Sequence, residues 1–117
     1  RVLVLQRQPW RVQQFHPSAV KFRCTFPGFF AGTIPPTEGY NVTSVTFNSG
    51  GNYTVTFTVP FANSTYTTIP SCSLNAGTIA LSCVRTQTTT TVGIATFNTS
   101  GAGSNPDFIY VVGYGTQ

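Results

Sequence analysis

The sequence predicts an all-β domain, an antiparallel β-sandwich of about seven strands preceded by an extended N-terminal arm. Three observations support this prediction. Apolar and polar residues alternate with a period of two along most of the chain, turn-forming residues separate these stretches at short intervals, and no stretch has apolar residues at helical spacing between capping residues. Such alternation gives each strand one apolar face, which a second sheet must cover.

The first 18 residues differ from the rest. A short apolar stretch at 2–5 is followed by a segment rich in Gln and Arg, which Pro17 ends. We therefore divide the chain into an arm or linker at 1–18 and a β-sandwich domain at 19–117. Five of the six basic residues precede position 24, so the basic character belongs to the arm and the start of the first strand. The candidate anchoring residues of this arm are Arg1, Arg7, Trp10 and Arg11.

The first predicted strand of the domain, 20–26, alternates Val20, Phe22, Cys24 and Phe26 with polar residues. The segment 27–36 contains repeated Pro and Gly, which interrupt a regular strand.

The clearest element is a hairpin at 41–59. Val45 and Phe47 alternate with hydroxylated residues before a Gly-containing turn at 48–52, whose residues tolerate positive φ. The alternation resumes after the turn, and the apolar positions there are Tyr53, Val55, Phe57 and Val59. Each strand of this hairpin thus has one face for the core and one for water.

Further strands are predicted at 65–71, 79–85, 90–97 and 108–114. The last one is apolar on both faces, whereas a strand in a small two-layer sandwich normally buries one. Either a long loop or another copy of the chain must then cover its second face. We expect self-association here, and the candidate interface residues are Phe108, Ile109, Tyr110, Val111 and Val112.

The charge content limits the classes of function. Only 7% of residues are charged, against about 25% in an average soluble protein. The surface therefore consists mainly of hydroxyls and amides, whose contacts depend weakly on pH and salt. This favours a virion or another extracellular setting. A nucleic-acid partner is not expected, because the basic residues do not cover the folded domain. No apolar stretch is long enough to predict a membrane span.

The sequence predicts no catalytic, cofactor or metal site. Glu38 and Asp107 are the two carboxylates, and nothing indicates that they meet as a glycosidase pair. His16 and Asp107 could formally join a serine in a triad, but no Gly-x-Ser-x-Gly elbow is present. One histidine and three separated cysteines do not form a convincing zinc motif.

The three cysteines leave at least one thiol unpaired within the chain. Cys24 and Cys83 have mostly apolar neighbours two positions away, which predicts thiols in the core. A disulfide between Cys72 and Cys83 is an alternative that the sequence leaves open. Four sequons for N-glycosylation occur, at Asn41, Asn52, Asn63 and Asn98, but a chain rich in Thr and Ser produces such matches by chance.

Recognition is expected at the loops, where neutral hydrogen-bonding groups lie near aromatic residues. Such surfaces suit a receptor or a glycan on a host surface. The candidate receptor-facing residues are Asn52, Phe61, Asn63 and Asn105.

Three short motifs follow one another along the chain. They are Pro17-Ser-Ala-Val-Lys-Phe, Gly39-Tyr-Asn-Val-Thr-Ser-Val-Thr and Gly51-Asn-Tyr-Thr-Val-Thr-Phe-Thr58. This order resembles the C-terminal β-domain of tailed-phage fibre and related virion proteins, in which S-A-x-V-x-F leads to N-V-S-S-I-T and G-x-G-D-Y-T-V-N-F-T. The segments 88–101 and 108–114 are similar to the Thr/Ser-rich and final apolar strands of that family. The likeness covers 17–115. The chain departs from the family at 26–36 and at Asn52, which replaces a typical Asp.

The resemblance implies a homotrimeric, non-enzymatic virion module that displays a surface for attachment to a host receptor, with other virion proteins as partners. A capsid decoration or head-fibre protein anchored by its basic arm is one alternative. A secreted carbohydrate-binding β-sandwich that shares only the hairpin is another.

Overall fold

Nine β-strands make up the regular secondary structure of residues 16, 18–29 and 32–117, the part of the chain that the computed structural model describes. They are β1 (Val20–Pro27), β2 (Thr33–Ile34), β3 (Glu38–Tyr40), β4 (Val42–Ser49), β5 (Asn52–Phe57), β6 (Thr67–Cys72), β7 (Leu81–Gln87), β8 (Thr91–Phe97) and β9 (Phe108–Tyr114). The described residues contain no helix, which confirms the all-β prediction, and hence none that could span a membrane.

The strands form two antiparallel sheets. The first has the order β3–β1–β9–β6, and the second has the order β2–β4–β5–β8–β7. Their apolar faces meet in one core. The ring centroids of Phe22 and Phe57 lie 4.5 Å apart across the interface, and those of Phe26 and Tyr53 lie 5.5 Å apart. The predicted β-sandwich is thereby confirmed.

The hairpin β4–β5 forms as the alternation predicts. Val45 pairs with Val55 and Phe47 with Tyr53, and the buried positions of β5 are every second residue. Gly51 adopts a φ of 76° in the turn, and a Cβ there would overlap the carbonyl oxygen of Thr96. Only glycine satisfies both demands, since the left-handed conformation is costly for a residue with a side chain.

The structure changes the predicted end of this hairpin. Val59 was expected on the apolar face, but it is 52% exposed, and β5 ends at Phe57. The side chain of Asn41 explains the change. Its Oδ1 accepts a hydrogen bond from the backbone N–H of Val59 at 2.7 Å, and its Nδ2 donates to the Val59 carbonyl at 3.1 Å. This amide replaces a strand partner and turns the chain out of the sheet.

Two short strands were not predicted. Thr33 and Ile34 form β2 within the segment that Pro and Gly interrupt, and they pair with Thr46 and Val45. The strand β3 pairs with β1, where Tyr40 lies opposite Arg23. Both short strands are at sheet edges, where few backbone hydrogen bonds are needed. The two longer edge strands, β6 and β7, lie next to each other at the opposite side of the sandwich.

The last strand, β9, lies in the middle of the first sheet, between β1 and β6. Ile109 and Val111 point into the core, whereas Phe108 and Tyr110 are 40% and 42% exposed on the outside. The expected second apolar face therefore exists, and the described loops leave it in contact with solvent.

The sandwich has two distinct ends, which we name by what they contain. The terminal end comprises 16, 18–20, 58–66, 88–90 and 115–117, where the backbone N–H of Ala62 donates to the Thr116 carbonyl at 2.7 Å. The cavity end comprises 28–29, 49–52, 73–80 and 98–107, where the Asp107 N–H donates to the Leu74 carbonyl at 3.0 Å. The predicted arm, with Arg1, Arg7, Trp10 and Arg11, lies outside the described residues apart from positions 16 and 18.

Val55 and Val59 provide a matched test of the observed strand boundary. Val55→Ala removes two buried carbon atoms and leaves a void, so it should lower the free energy of unfolding by about 2 kcal/mol. Val59→Ala should change it by less than about 0.5 kcal/mol, because this side chain is half in solvent. Urea unfolding of both variants measures the difference. Equal losses would mean that Val59 also belongs to the core.

Candidate functional site

A cavity of about 650 Å³ opens at the cavity end of the sandwich. Its volume is in the range of sites that hold small ligands. The described lining residues come from three segments, which follow β1, β6 and β8, and half of them are neutral and polar. They are Pro27, Phe29, Asn75, Thr78, Asn98, Gly103, Ser104, Asn105, Pro106 and Asp107.

The hydroxyl of Tyr53 fastens two of these loops to the core. The ring is buried, and the hydroxyl donates a hydrogen bond to the Gly28 carbonyl at 2.5 Å while Asn105 Oδ1 lies 3.2 Å away. Asn105 Oδ1 also accepts the Gly51 N–H at 2.9 Å, which ties the hairpin turn to the same point. Burial raises the pKa of Tyr53, so the hydroxyl keeps its proton.

Gly28 allows the loop after β1 to contact the loop before β9. Its N–H donates to the Asp107 carbonyl at 3.3 Å. A Cβ at position 28 would overlap the carbonyl oxygen of Pro106. The loop after β1 and the loop before β9 therefore touch through their backbones, which fixes one side of the cavity.

The loop 98–107 is shaped by its own amides. Asn98 Oδ1 accepts hydrogen bonds from the backbone N–H groups of Ser100 and Ala102, both at 3.0 Å. Asn75 Nδ2 donates to Ser104 Oγ at 2.9 Å, which joins this loop to the one between β6 and β7. Thr96 Oγ1 donates to the Ser104 carbonyl at 2.5 Å. These bonds hold the polar lining in place before any ligand arrives.

Several polar atoms of the lining remain available. The hydrogen bonds among the described residues use the Oδ1 atoms of Asn98 and Asn105, but neither their Nδ2 groups nor the Asp107 carboxylate. Asn75 likewise uses its Nδ2 and leaves Oδ1 free in this part of the chain. The ring of Phe29, 75% exposed, stands at the rim. The cavity thus offers donors, acceptors and one aromatic face.

The two carboxylates do not form a pair. Glu38 Oε1 lies 2.6 Å from Arg23 Nη1 on the outside of the first sheet, whereas Asp107 lines the cavity. His16 and Asp107 are also apart, because one precedes β1 and the other faces its far end. At about 3.3 Å per residue the seven steps of β1 span roughly 23 Å. His16 Nδ1 instead contacts Ser18 Oγ at 2.7 Å.

No three His, Cys, Asp or Glu side chains of the described ranges gather into a metal-binding group.

The structure divides the predicted receptor-facing residues between the two ends. Asn105 lines the cavity, and Asn52 is nearby in the hairpin turn, where its Nδ2 donates to Ser49 Oγ at 2.8 Å. Asn63 is exposed at the terminal end, and its Oδ1 accepts the Thr65 N–H at 3.1 Å. These residues therefore do not form one surface.

The expectation of an exposed ring at Phe61 is wrong. Phe61 is only 3% exposed, because its ring stacks on Tyr66 with centroids 3.9 Å apart and contacts Phe57 edge-on. The ring closes the core at the terminal end.

Sequence reasoning missed Phe29, Asn75 and Asn98 as lining residues. They are far apart in the chain, and each lies in a segment that reads only as a turn. The Asx pattern at Asn98, followed by Thr, Ser and Gly, signals a shaped loop. Their convergence follows from strand order, which no local pattern contains.

The cysteines are all free, and they lie in three different environments. Cys24 is buried, as predicted, and burial raises its pKa to about 12. Cys83 is exposed, so the expectation of a core thiol there is wrong. It points away from the core on β7, whereas Cys72 packs against the core. These opposite directions explain why the alternative Cys72–Cys83 disulfide is not formed.

Thiol labelling should follow this order. In the folded protein iodoacetamide should modify Cys83 first, whereas Cys24 should react only after unfolding, because its thiol is buried and protonated. Peptide mass spectrometry after timed labelling measures the order, and Cys83→Ser should remove the fast phase. Rapid labelling of Cys24, or a mass showing a Cys72–Cys83 bridge, would contradict the assigned environments.

The hydroxyl of Tyr53 should contribute to stability. Tyr53→Phe removes its hydrogen bonds and leaves the Gly28 carbonyl without this donor, so the free energy of unfolding should fall by about 1–2 kcal/mol. Tyr40→Phe is the control, since that ring is exposed at a sheet edge and should tolerate the loss. Chemical denaturation followed by fluorescence compares the two. A Tyr53→Phe variant as stable as the unmodified protein would show that the hydroxyl does not fasten the loops.

Comparison with known proteins gives no match at three levels: no family model, no curated protein and no solved structure matches this chain.

Proposed function

We propose that this chain is a non-enzymatic structural module of a virion, of the tail-fibre type, which assembles as a homotrimer and displays a surface for attachment to the host. The observation that carries the proposal is the outer face of the first sheet. The motif order at 17–58, which resembles phage fibre domains, supports the virion setting.

The outer face consists of side chains from all four strands of the first sheet. One row runs through Tyr40, Arg23, Val112 and Ile69, which are registered neighbours on β3, β1, β9 and β6. Tyr110 lies in the adjacent row, and Phe108 precedes it by two positions on the same side of β9. Arg23 separates Tyr40 from the other apolar side chains, but those on β9 and Ile69 on β6 are direct neighbours. They make an apolar patch of the kind that a soluble monomer seldom leaves uncovered.

A second copy of this chain suits the outer face. The Arg23–Glu38 ion pair balances charge within the face. Two identical faces can therefore meet without like-charge repulsion. Ile69 and Tyr110 are 52% and 42% exposed, and burying them would remove apolar area from water. These features support self-association through β9 and its neighbours, including Phe108–Val112, and the trimer is the number that the fibre resemblance implies.

The direction of the chain supports a display role. The described residues start at the terminal end with His16, and the Gln117 side chain donates to the Val59 carbonyl there at 3.1 Å. The cavity lies at the opposite end. Attachment of the module through its terminal end would thus leave the cavity end facing outward.

A secreted carbohydrate-binding β-sandwich is the second candidate, and the neutral polar cavity with Phe29 at its rim favours it. The two candidates differ in assembly and setting. A fibre module is trimeric and travels with virus particles, whereas a simple lectin domain acts alone.

Light scattering coupled to size-exclusion chromatography tests the assembly. The unmodified protein should have three times the 12.6 kDa mass of one chain. Ile69→Thr with Tyr110→Thr should weaken each contact by about 2 kcal/mol, since both side chains are already half-buried in one copy. That is a roughly thirtyfold loss in association, so the mass should fall towards one chain.

Val59→Thr with Leu81→Thr is the matched control, because both residues are equally exposed but lie off the outer face. This pair should leave the mass unchanged. A monomeric unmodified protein, or an outer-face variant that stays trimeric, would contradict the proposed assembly.

Immunogold labelling of purified virus particles tests the setting. Gold at tail fibres is the expected result. Gold on the capsid would favour the decoration alternative, and unlabelled particles with protein in the medium would favour the secreted one.

A further inference from the structure

We propose that the cavity at the cavity end binds a neutral saccharide. Phe29 would serve as the stacking platform, and Asp107 with neighbouring amides would hold the hydroxyl groups. This inference rests on the proposed attachment function for its biological role, but its argument uses only the geometry of the cavity.

Phe29 is the first part of that argument. It is the most exposed large apolar side chain among the described residues, and its ring centroid lies 6.2 Å from that of Phe47. Phe47 supports the ring from the protein side, while the remainder faces solvent at the cavity rim. An aromatic ring in this position offers a flat apolar surface, and the C–H faces of a sugar ring are apolar in the same way.

The polar lining is the second part. The Asp107 carboxylate and the Nδ2 groups of Asn98 and Asn105 are not used by hydrogen bonds within the described chain, although they line the cavity. The Oδ1 atoms of Asn98 and Asn105 accept hydrogen bonds from backbone N–H groups, which fixes the orientation of both amides. A ligand would therefore meet donors and acceptors that are already oriented, which reduces the entropy lost on binding. Adjacent hydroxyl groups of a sugar can donate to a carboxylate and accept from an amide.

The charge of the lining selects among saccharides. Its described residues include one carboxylate and no Lys or Arg. An anionic sugar would lose its hydration without gaining a cationic partner and would be repelled by Asp107. Neutral sugars carry no such cost. Their binding should also depend weakly on salt, because no ion pair is formed.

Isothermal titration calorimetry with neutral oligosaccharides of glucose, galactose, mannose and N-acetylglucosamine provides the first test. At least one should bind the unmodified protein at millimolar concentrations or below. Phe29→Ala should weaken this binding about tenfold, the loss of one substantial contact, and Phe29→Trp should retain it. Val59→Ala is the control, since it removes an exposed apolar side chain at the terminal end, opposite the cavity and off the outer face, and should leave the affinity unchanged.

The difference in affinity between a neutral and an anionic sugar provides a second test. A purely structural role of Asp107 would not change this difference. The anionic sugar is the uronic acid derivative of whichever neutral sugar binds, which differs from it by one carboxylate. This anionic derivative should bind about tenfold more weakly than the neutral sugar. Asp107→Asn removes the repulsion and keeps the side-chain shape, so it should narrow this difference. Circular dichroism of each variant confirms the fold, so that a loss of binding reports the site.

The outcomes separate the site from the proposed function. If no saccharide of the panel binds, or if Phe29→Ala and Asp107→Asn bind like the unmodified protein, the site inference is overturned, whereas a trimer on virus particles would still support display. If the sugar binds through Phe29 but the protein is a monomer absent from particles, the site stands and the virion function fails.

Discussion

The mutual burial of two one-sided sheets is the constraint on which the rest of the structure depends. Neither sheet could keep its apolar face in water, and the rings of Phe22, Phe26, Tyr53 and Phe57 interlock where the faces meet. Core packing of this kind fixes the strand order and therefore the position of every loop. The cavity is a product of that order, because its lining residues belong to three loop segments that the core brings to one end.

Tyr53 connects the two levels of organisation. Its ring belongs to the core, and its hydroxyl reaches out of the core to the loop after β1 and to Asn105. The same side chain thereby sets packing and site geometry. Neutral hydrogen bonds of this kind recur through the cavity end, at Asn75, Asn98 and Thr96. A chain with 7% charged residues positions its loops by amides and hydroxyls.

The alternation of residues was sufficient to predict the hairpin, the core positions of β5 and the two-faced character of β9. It failed where tertiary contacts decide the outcome. Val59 continues the pattern but leaves the sheet because the Asn41 amide takes its backbone groups. Cys83 has the apolar Leu81 two positions before it, yet it lies on the outer side of an edge strand. Phe61 follows a proline in a turn, yet it is buried, because its ring packs against Tyr66 and Phe57. Of the residues that line the cavity, the sequence indicated only Asn105 as a recognition residue. The others are brought together by the strand order, which local patterns do not reveal.

The edges of the two sheets limit how copies of this chain can join. An unpaired strand edge is a template for further strands, and growth by that route has no natural end. Here two edges are only two and three residues long, and the two longer ones, β6 and β7, shield each other. Strand-by-strand polymerisation therefore has little to build on. Copies that join would then have to do so through broad sheet surfaces, where closed symmetry can limit the number of copies.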